Sequence, residues 1–186
     1  MLKVTLIGDS IRMGYQPLVT CLLSGRTEVW GPEENGGDSR NVLANLETWA
    51  VNRPADVIQL NCGLHDIKVK SDGSHQVPLA EFTDKLGAIV GRLCRETSAR
   101  LVWATITPVV EDRHRRSRDF GRFNADIQAY NAEALKIVAE AGLAVTDLHA
   151  VIVGNDPSRC ICQDGVHMTD LGNRLLAEAV VTGLGL

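Results

Sequence analysis

The sequence predicts a single α/β domain over residues 1–186, in which helices cover both faces of a five-stranded parallel sheet. Two observations carry this prediction. Short apolar runs alternate along the chain with longer segments whose apolar residues have helical spacing. No internal repeat and no linker divides the chain, which is long enough to bury one core. Parallel strands need such helical crossovers, because a tight turn cannot return the chain to the same direction.

Five short runs predict the strands. Residues 3–7 are apolar and partly β-branched, and the run ends at Gly8, which is typical of a buried parallel strand. Ligands of such sheets gather at the carboxyl ends of the strands, so we expect the residues after each run to share one edge. The other strands are expected at residues 27–30, 56–60, 101–106 and 143–146.

The segments between these runs predict helices. Gly142 fits the C-terminal cap of a helix over residues 124–141, and Asp170 lies in the first turn of a last helix that begins at Thr169. Further helices are expected at residues 13–23, 41–51 and 79–95. In the longest of these, one stripe is formed by Phe82, Leu86, Ile89, Val90 and Leu93.

Charge and composition limit the partners. A formal net charge of −4 gives the chain no overall attraction to nucleic acid. No run approaches the roughly 20 apolar residues of a membrane span, and the apolar N-terminal run is too short for a signal peptide. We therefore expect a cytoplasmic protein with no nucleic-acid or membrane partner, and the sequence leaves its oligomeric state open.

The cysteines indicate free thiols, because five is an odd number and the expected compartment is reducing. Cys160 and Cys162 lie close to His167, which raises the alternative of a metal site. This set has no fourth ligand at a recognisable spacing. We therefore expect neither a metal nor another cofactor.

Ser10 is the candidate nucleophile. It follows the first strand in the sequence Gly8-Asp9-Ser10, at a strand-to-helix turn where its hydroxyl can project into the crevice. A serine is a poor nucleophile unless a neighbouring base takes its proton. The alternative is that Ser10 only caps the helix that follows it.

Asp164 and His167 are the candidate partners of that serine. A histidine can accept the proton of a serine, and a carboxylate can hold the imidazole in the required tautomer. Here the two are three residues apart before the last helix, so they can meet without long-range assembly. The alternative is a surface turn with a solvated histidine.

Together these blocks resemble the SGNH (GDSL) hydrolase family, from Leu2 to the last helix. The resemblance implies a flavodoxin-like three-layer α/β/α sandwich, with Ser10 as nucleophile and Asp164 and His167 completing a triad. It implies that Gly37, in Gly36-Gly37-Asp38-Ser39, donates its N–H to the oxyanion. It also implies a serine esterase that acts on a small-molecule ester. A short acyl group such as acetyl, on a small alcohol or sugar, is the expected substrate.

The third family block departs from the pattern. The family has Gly-x-Asn-Asp, with the asparagine amide as an oxyanion donor, whereas this chain has Gly63-Leu64-His65-Asp66. His65 can replace the amide, because either tautomer of a histidine has an N–H. The alternatives are that Asn61 supplies the amide, or that the oxyanion hole is weakened. We assign Asp66, together with Asp9, to substrate binding, with orientation of the His65 loop as a further role of Asp66.

The sequence also allows two rival functions. A non-catalytic ligand-binding protein could use the same scaffold, and Asp9 could serve as a phosphoryl-transfer nucleophile if carboxylates and Mg²⁺ were gathered around it. The segment after the fourth strand is expected to be a solvated, mobile loop, with a basic lid for an anionic substrate as the alternative. Its basic residues are Arg113, His114, Arg115, Arg116, Arg118 and Arg122.

Overall fold

A five-stranded parallel sheet forms the centre of the computed structural model, which describes all residues from Met1 to Leu186. The strand order is β2-β1-β3-β4-β5, the flavodoxin-like order. This confirms the predicted sheet, and each strand begins and ends within two residues of its predicted bounds. The strands are β1 (Leu2–Ile7), β2 (Thr27–Trp30), β3 (Val57–Leu60), β4 (Arg100–Ala104) and β5 (Ala144–Thr146).

Eight helices flank the sheet. On one side α1 and α6 pack against α8, and on the other α3 packs against α2 and α5. All four residues of β3 are buried, as expected for a strand covered on both faces. The helices are α1 (Ser10–Leu22), α2 (Ser39–Leu46, continued by a π-helical turn Glu47–Val51), α3 (Leu79–Glu96), α4 (Glu111–Ser117), α5 (Asn124–Glu140), α6 (Leu148–Val153), α7 (Pro157–Cys160) and α8 (Asp170–Gly183). No helix combines enough length with enough apolar character to cross a bilayer.

The basic segment after β4 is not the loop that the sequence predicts, although Arg115, Arg116 and Arg118 are exposed to solvent as expected. Its first half is helix α4, in which His114 is buried, and it ends at Arg122, which is also largely buried. The prediction is wrong because α4 is short and polar, so it has no apolar periodicity. Contacts distant in sequence stabilise it: Arg113 donates to the carbonyl oxygens of Ile161 and Ser158 at 2.7 and 2.9 Å.

The centre of the sheet determines where a ligand can bind. The chain leaves β1 toward β2 on one side, while β3 lies on the other side and leads on to β4. The connections therefore diverge after β1 and β3, which opens a crevice at the carboxyl ends of these two strands. Ile7 pairs with Leu60, so the loops that follow both strands leave the sheet side by side.

We predict that Gly172→Ala destabilises the protein by about 1–3 kcal/mol, because the added methyl group would overlap the carbonyl oxygen of Cys160. Gly87→Ala is the matched control, since Gly87 is also inside a long helix but has open space around it. There the change should be neutral or stabilising by up to about 1 kcal/mol. Urea unfolding of both variants measures the difference, and equal stabilities would contradict the close packing of α8.

Candidate active site

Ser10 lies at the first residue of α1, directly beyond the carboxyl end of β1. Asp9 is the N-cap, and its Oδ1 accepts from the N–H of Ile11 at 2.9 Å. The cap role that the sequence left open for Ser10 therefore belongs to Asp9. The Ser10 hydroxyl is free for another partner, and its Oγ lies 3.0 Å from Nε2 of His167.

His167 is held by Asp164, three residues before it. Its Nδ1 lies 2.5 Å from Oδ2 of Asp164. Oδ1 of the same carboxylate accepts from the N–H groups of Val166 and His167, both at 3.0 Å. Burial alone would raise the pKa of Asp164, but these three hydrogen bonds outweigh it and the pKa lies below its usual value. The carboxylate is therefore ionised at neutral pH and directs Nε2 toward Ser10.

Helix α4 supports the turn that carries this pair. The N–H of Val110, at the N-terminus of α4, donates to the carbonyl oxygen of Gly165 at 2.9 Å. Ser117 Oγ, at the other end of the helix, donates to the carbonyl oxygen of Asp164 at 2.9 Å. Gly165 has a φ of +78° and abuts the backbone of α4 so closely that a methyl group would overlap it. No local pattern in the sequence indicates this support, because the two segments are about fifty residues apart.

An open cleft lies in front of the three residues. Its volume is about 410 Å³, enough for a small organic molecule. It contains both the predicted nucleophile and residues that the sequence did not assign, notably Asn35 and Phe120. Its lining consists of Ser10, Asn35, His65, Lys68, Arg118, Asp119, Phe120, Arg122, Asp164, Val166 and His167.

His65 is the member of the third block that reaches the cleft. Its ring makes no hydrogen bond or ion pair, so its N–H is available to a ligand. Burial, assisted by the positive charges of Lys68 and Arg122, lowers the pKa of His65 to about 4. The imidazole is therefore neutral at neutral pH, with one nitrogen as donor and the other as acceptor.

Asn61 does not reach the cleft. Its side chain is buried, and Nδ2 donates to the carbonyl oxygen of Ala104 at 2.7 Å. Of the two candidates for the third oxyanion donor, only His65 lines the same cleft as Ser10. The physical reason is that Asn61 directly follows β3 and satisfies the end of the neighbouring strand.

Gly37 has the left-handed backbone that its position requires, with a φ of +63°. Its N–H, however, donates to Oδ1 of Asn35 at 2.9 Å. Asn35 itself lines the cleft. The predicted oxyanion donor is thus engaged by a side chain at the edge of the cleft.

The structure places Asp9 and Asp66 away from the cleft, which corrects their assignment to substrate binding. Asp9 is 1% exposed; burial raises its pKa, and its Oδ2 has no hydrogen-bond partner. Asp66 is fully buried, and accepts hydrogen bonds from the N–H of Ser39 at 3.1 Å and from its hydroxyl. Burial raises the pKa of Asp66 to about 6. Through these hydrogen bonds Asp66 links the start of α2 to the His65 loop. Orientation of this loop is the further role that the sequence predicts for Asp66.

The side chains are not arranged as a metal centre. No group of three or more histidine, cysteine, aspartate or glutamate residues could hold an ion together. Cys160 and Cys162 do not form such a group with His167.

Solved structures share this fold over almost the whole chain. An acetyl xylan esterase, AlAXEase, is 22% identical with a TM-score of 0.81, over 98% of this chain and 100% of that one. A lipase/acylhydrolase from Enterococcus faecalis is 21% identical with a TM-score of 0.83, over 99% and 95% of the two chains. Axe2, an acetylxylan esterase from Geobacillus stearothermophilus, is 18% identical with a TM-score of 0.78, over 100% and 94%.

A catalytic mutant of Axe2, in which alanine replaces a serine, matches equally well with a TM-score of 0.80. No protein-family model matches the sequence, and no curated protein matches it at a significant level. At identities of this order the likeness establishes the fold. The chain has the SGNH hydrolase fold that its motifs resemble.

We predict that Asp66→Ala costs about 1–3 kcal/mol of stability, because it leaves the buried N–H and hydroxyl of Ser39 without an acceptor. Asp72→Ala is the matched control: Asp72 accepts the same two groups from Ser74, but at an exposed site. Its loss should cost at most about 0.5 kcal/mol. Chemical denaturation measures both, and similar losses would argue against a structural role for Asp66.

Proposed function

We propose that this chain is a serine esterase, with Ser10 as nucleophile and His167 and Asp164 as its base and orienting carboxylate. The observation that carries the proposal is the continuous line from Ser10 Oγ to His167 Nε2 at 3.0 Å and from His167 Nδ1 to Asp164 at 2.5 Å. This line ends at an open cleft, where the hydroxyl can meet a carbonyl carbon. Hydrogen bonds in this order are what nucleophilic acyl transfer requires.

The proposed reaction transfers an acyl group to water in two steps. His167 takes the proton of Ser10 as Oγ attacks the ester carbonyl, and Asp164 stabilises the imidazolium that forms. His167 then gives this proton to the oxygen of the leaving alcohol, and the carbon–oxygen bond breaks. In the second step His167 accepts a proton from water, which attacks the acyl-serine, and then returns it to Oγ. The products are an acid, an alcohol and the free enzyme, without a cofactor.

The proposed oxyanion donors are the N–H of Ser10, in the first turn of α1, and the ring N–H of His65. N–H groups at the start of a helix have no intrahelical acceptor and form the positive end of the helix dipole. The neutral state of His65 leaves one ring N–H for the developing charge. Gly37 joins them when its N–H leaves Asn35.

A short acyl group on a small alcohol or sugar is the proposed substrate class. The cleft of about 410 Å³ is open to solvent, and only two of its lining residues, Phe120 and Val166, are apolar. Such a lining offers little surface to a long acyl chain. Two of the similar structures are described as acetyl xylan esterases, which supports acetyl as the acyl group.

Both rival functions find less support. A non-catalytic binding protein was suggested by the loss of the family asparagine, but His65 presents a donor in the same cleft. Phosphoryl transfer through Asp9 would need an accessible carboxylate with others beside it. Asp9 is the buried N-cap of α1, and no group of carboxylates able to hold a metal ion surrounds it.

We predict that Ser10→Ala lowers kcat/KM for 4-nitrophenyl acetate by at least about 10³-fold, because the variant has no nucleophile for His167 to activate. The wild type should also react with a fluorophosphonate probe at Ser10. Ser24→Ala, which removes an exposed hydroxyl beyond the far end of α1, is the control and should behave as wild type. Full turnover by a folded Ser10→Ala protein would refute the proposal.

We predict that His65→Ala lowers kcat by roughly 10²–10³-fold, the cost of losing one oxyanion donor, while His65→Asn retains most of the activity. With its pKa near 4, His65 is neutral above about pH 5, so both wild type and His65→Asn should show pH profiles of the same shape from pH 5 to 9. Stopped assays across this range measure kcat and KM. A pH profile that changes shape between wild type and His65→Asn within this range would contradict the neutral state of His65.

A further inference from the structure

Three cations line the cleft without a carboxylate to neutralise them. Lys68, Arg118 and Arg122 all face the space that contains Ser10. None of them forms an ion pair within 4.0 Å, whereas Arg40 pairs with Glu81 elsewhere on the surface. Unpaired positive charges beside a nucleophile suggest that their counter-charge arrives with the ligand.

Arg122 is built into the wall of the cleft. Its side chain is 6% exposed, and its Nε donates to the carbonyl oxygen of Leu64 at 2.7 Å. That hydrogen bond fixes the plane of the guanidinium, while the two terminal nitrogens have no acceptor. Burial lowers the pKa of Arg122 to about 10, and the neighbouring charge of Arg118 acts in the same direction. A guanidinium that is held in place and has two free terminal nitrogens is suited to bind a planar carboxylate or a tetrahedral phosphate.

The ring of Phe120 lies close to two of the three cations, Lys68 and Arg122. The Nζ of Lys68 lies 5.4 Å from the ring centroid, and the guanidinium carbon of Arg122 lies 5.2 Å from it. Both charges are therefore within cation–π range of one aromatic ring. After burial, the charges of Lys68 and Arg122 are the next causes of the lowered pKa of His65, which lines the same cleft.

The acidic residues nearby do not cancel this charge. Asp164 lines the cleft, but its oxygens are committed to His167 and the turn. Asp119 also lines it, yet it is exposed and forms no ion pair. Asp9 attracts Arg122 from the buried side and does not face the cleft. The cleft lining thus has three positive side chains and two negative ones, and one of the negative ones, Asp164, already has hydrogen-bond partners on both oxygens.

We propose that the substrate is an ester that carries an anionic group, a carboxylate or a phosphate, close to the scissile bond, and that Lys68, Arg118 and Arg122 bind this group. The inference rests on the esterase function proposed above and narrows its substrate. The anion receives charge-assisted hydrogen bonds from the free donors, and the ester carbonyl then lies between Ser10 and His65. Neutral esters lack this anchor and bind more weakly.

The test compares three aryl acetates that differ in one substituent: 4-acetoxybenzoate, 4-acetoxyphenyl phosphate and the neutral 4-acetoxybenzamide. The ratio of kcat/KM for each anionic ester to that for the amide is measured for wild type, Lys68→Met and Arg118→Gln. Because each ratio is compared between proteins, differences in the intrinsic reactivity of the esters cancel. Each variant should lower the ratio roughly tenfold, the loss of one charge-assisted hydrogen bond. The anion whose ratio falls more in the two cleft variants identifies the carboxylate or the phosphate as the preferred group.

Arg115→Gln is the matched control, since Arg115 belongs to the same basic segment but its side chain is 70% exposed and does not line the cleft. Its ratios should equal those of wild type. Added salt should lower the wild-type ratio, because mobile ions screen an exposed anion site. Unchanged ratios in both cleft variants would overturn the inference.

A binding measurement separates this inference from the proposed function. Ser10→Ala cannot hydrolyse the esters by the proposed route, so calorimetry on this variant compares the binding of 4-acetoxybenzoate and 4-acetoxyphenyl phosphate with that of 4-acetoxybenzamide. Tighter binding of an anion, abolished by the further change Lys68→Met, supports the anion site. Equal binding of all three overturns it, even if Ser10-dependent hydrolysis of 4-acetoxybenzamide stands. If no ester is hydrolysed through Ser10, the proposed function fails, whatever the binding result.

Discussion

Pairing of β1 with β3 at the centre of the sheet is the constraint on which the rest of the site depends. Ile7 and Leu60 are paired residues, so the loops beyond them leave the sheet together. One carries Ser10 into α1 and the other carries His65 into the cleft. A register shift of one residue would turn the side chains of a strand to the opposite face, and both faces are covered by helices. Core packing therefore fixes where the proposed nucleophile and the proposed donor leave the sheet.

The turn from Asp164 to His167 reaches Ser10 from the far end of the chain, and its position depends on α4. The sheet alone does not locate this turn, because it follows β5 only after α6 and α7. The backbone of Gly165 accepts from Val110 and packs against α4. The same segment continues to Arg122, whose guanidinium faces the cleft. Support of the proposed base and the positive charge of the cleft are thus properties of one stretch of chain.

The sequence was sufficient where local chemistry determines structure. The strands and long helices follow from apolar periodicity, and Asp164 meets His167 because three residues span one turn. It was insufficient where burial depends on distant residues. Nothing local distinguishes the exposed Asp72 from the buried Asp66, although both accept hydrogen bonds from a serine. The basic segment resisted prediction for the same reason, since its helix is stabilised by carbonyl groups that lie more than forty residues away.

In the proposed mechanism, the hydrogen bond from Gly37 to Asn35 has a consequence for the rate. While the Asn35 amide oxygen accepts this N–H, the proposed oxyanion hole has one donor fewer. The rate of the proposed reaction would then scale with the fraction of molecules in which the N–H is free, and a ligand that favours that state would increase the fraction as it binds. A side chain at the rim of the cleft, remote from any bond that breaks in the proposed reaction, would set how many molecules are ready to react.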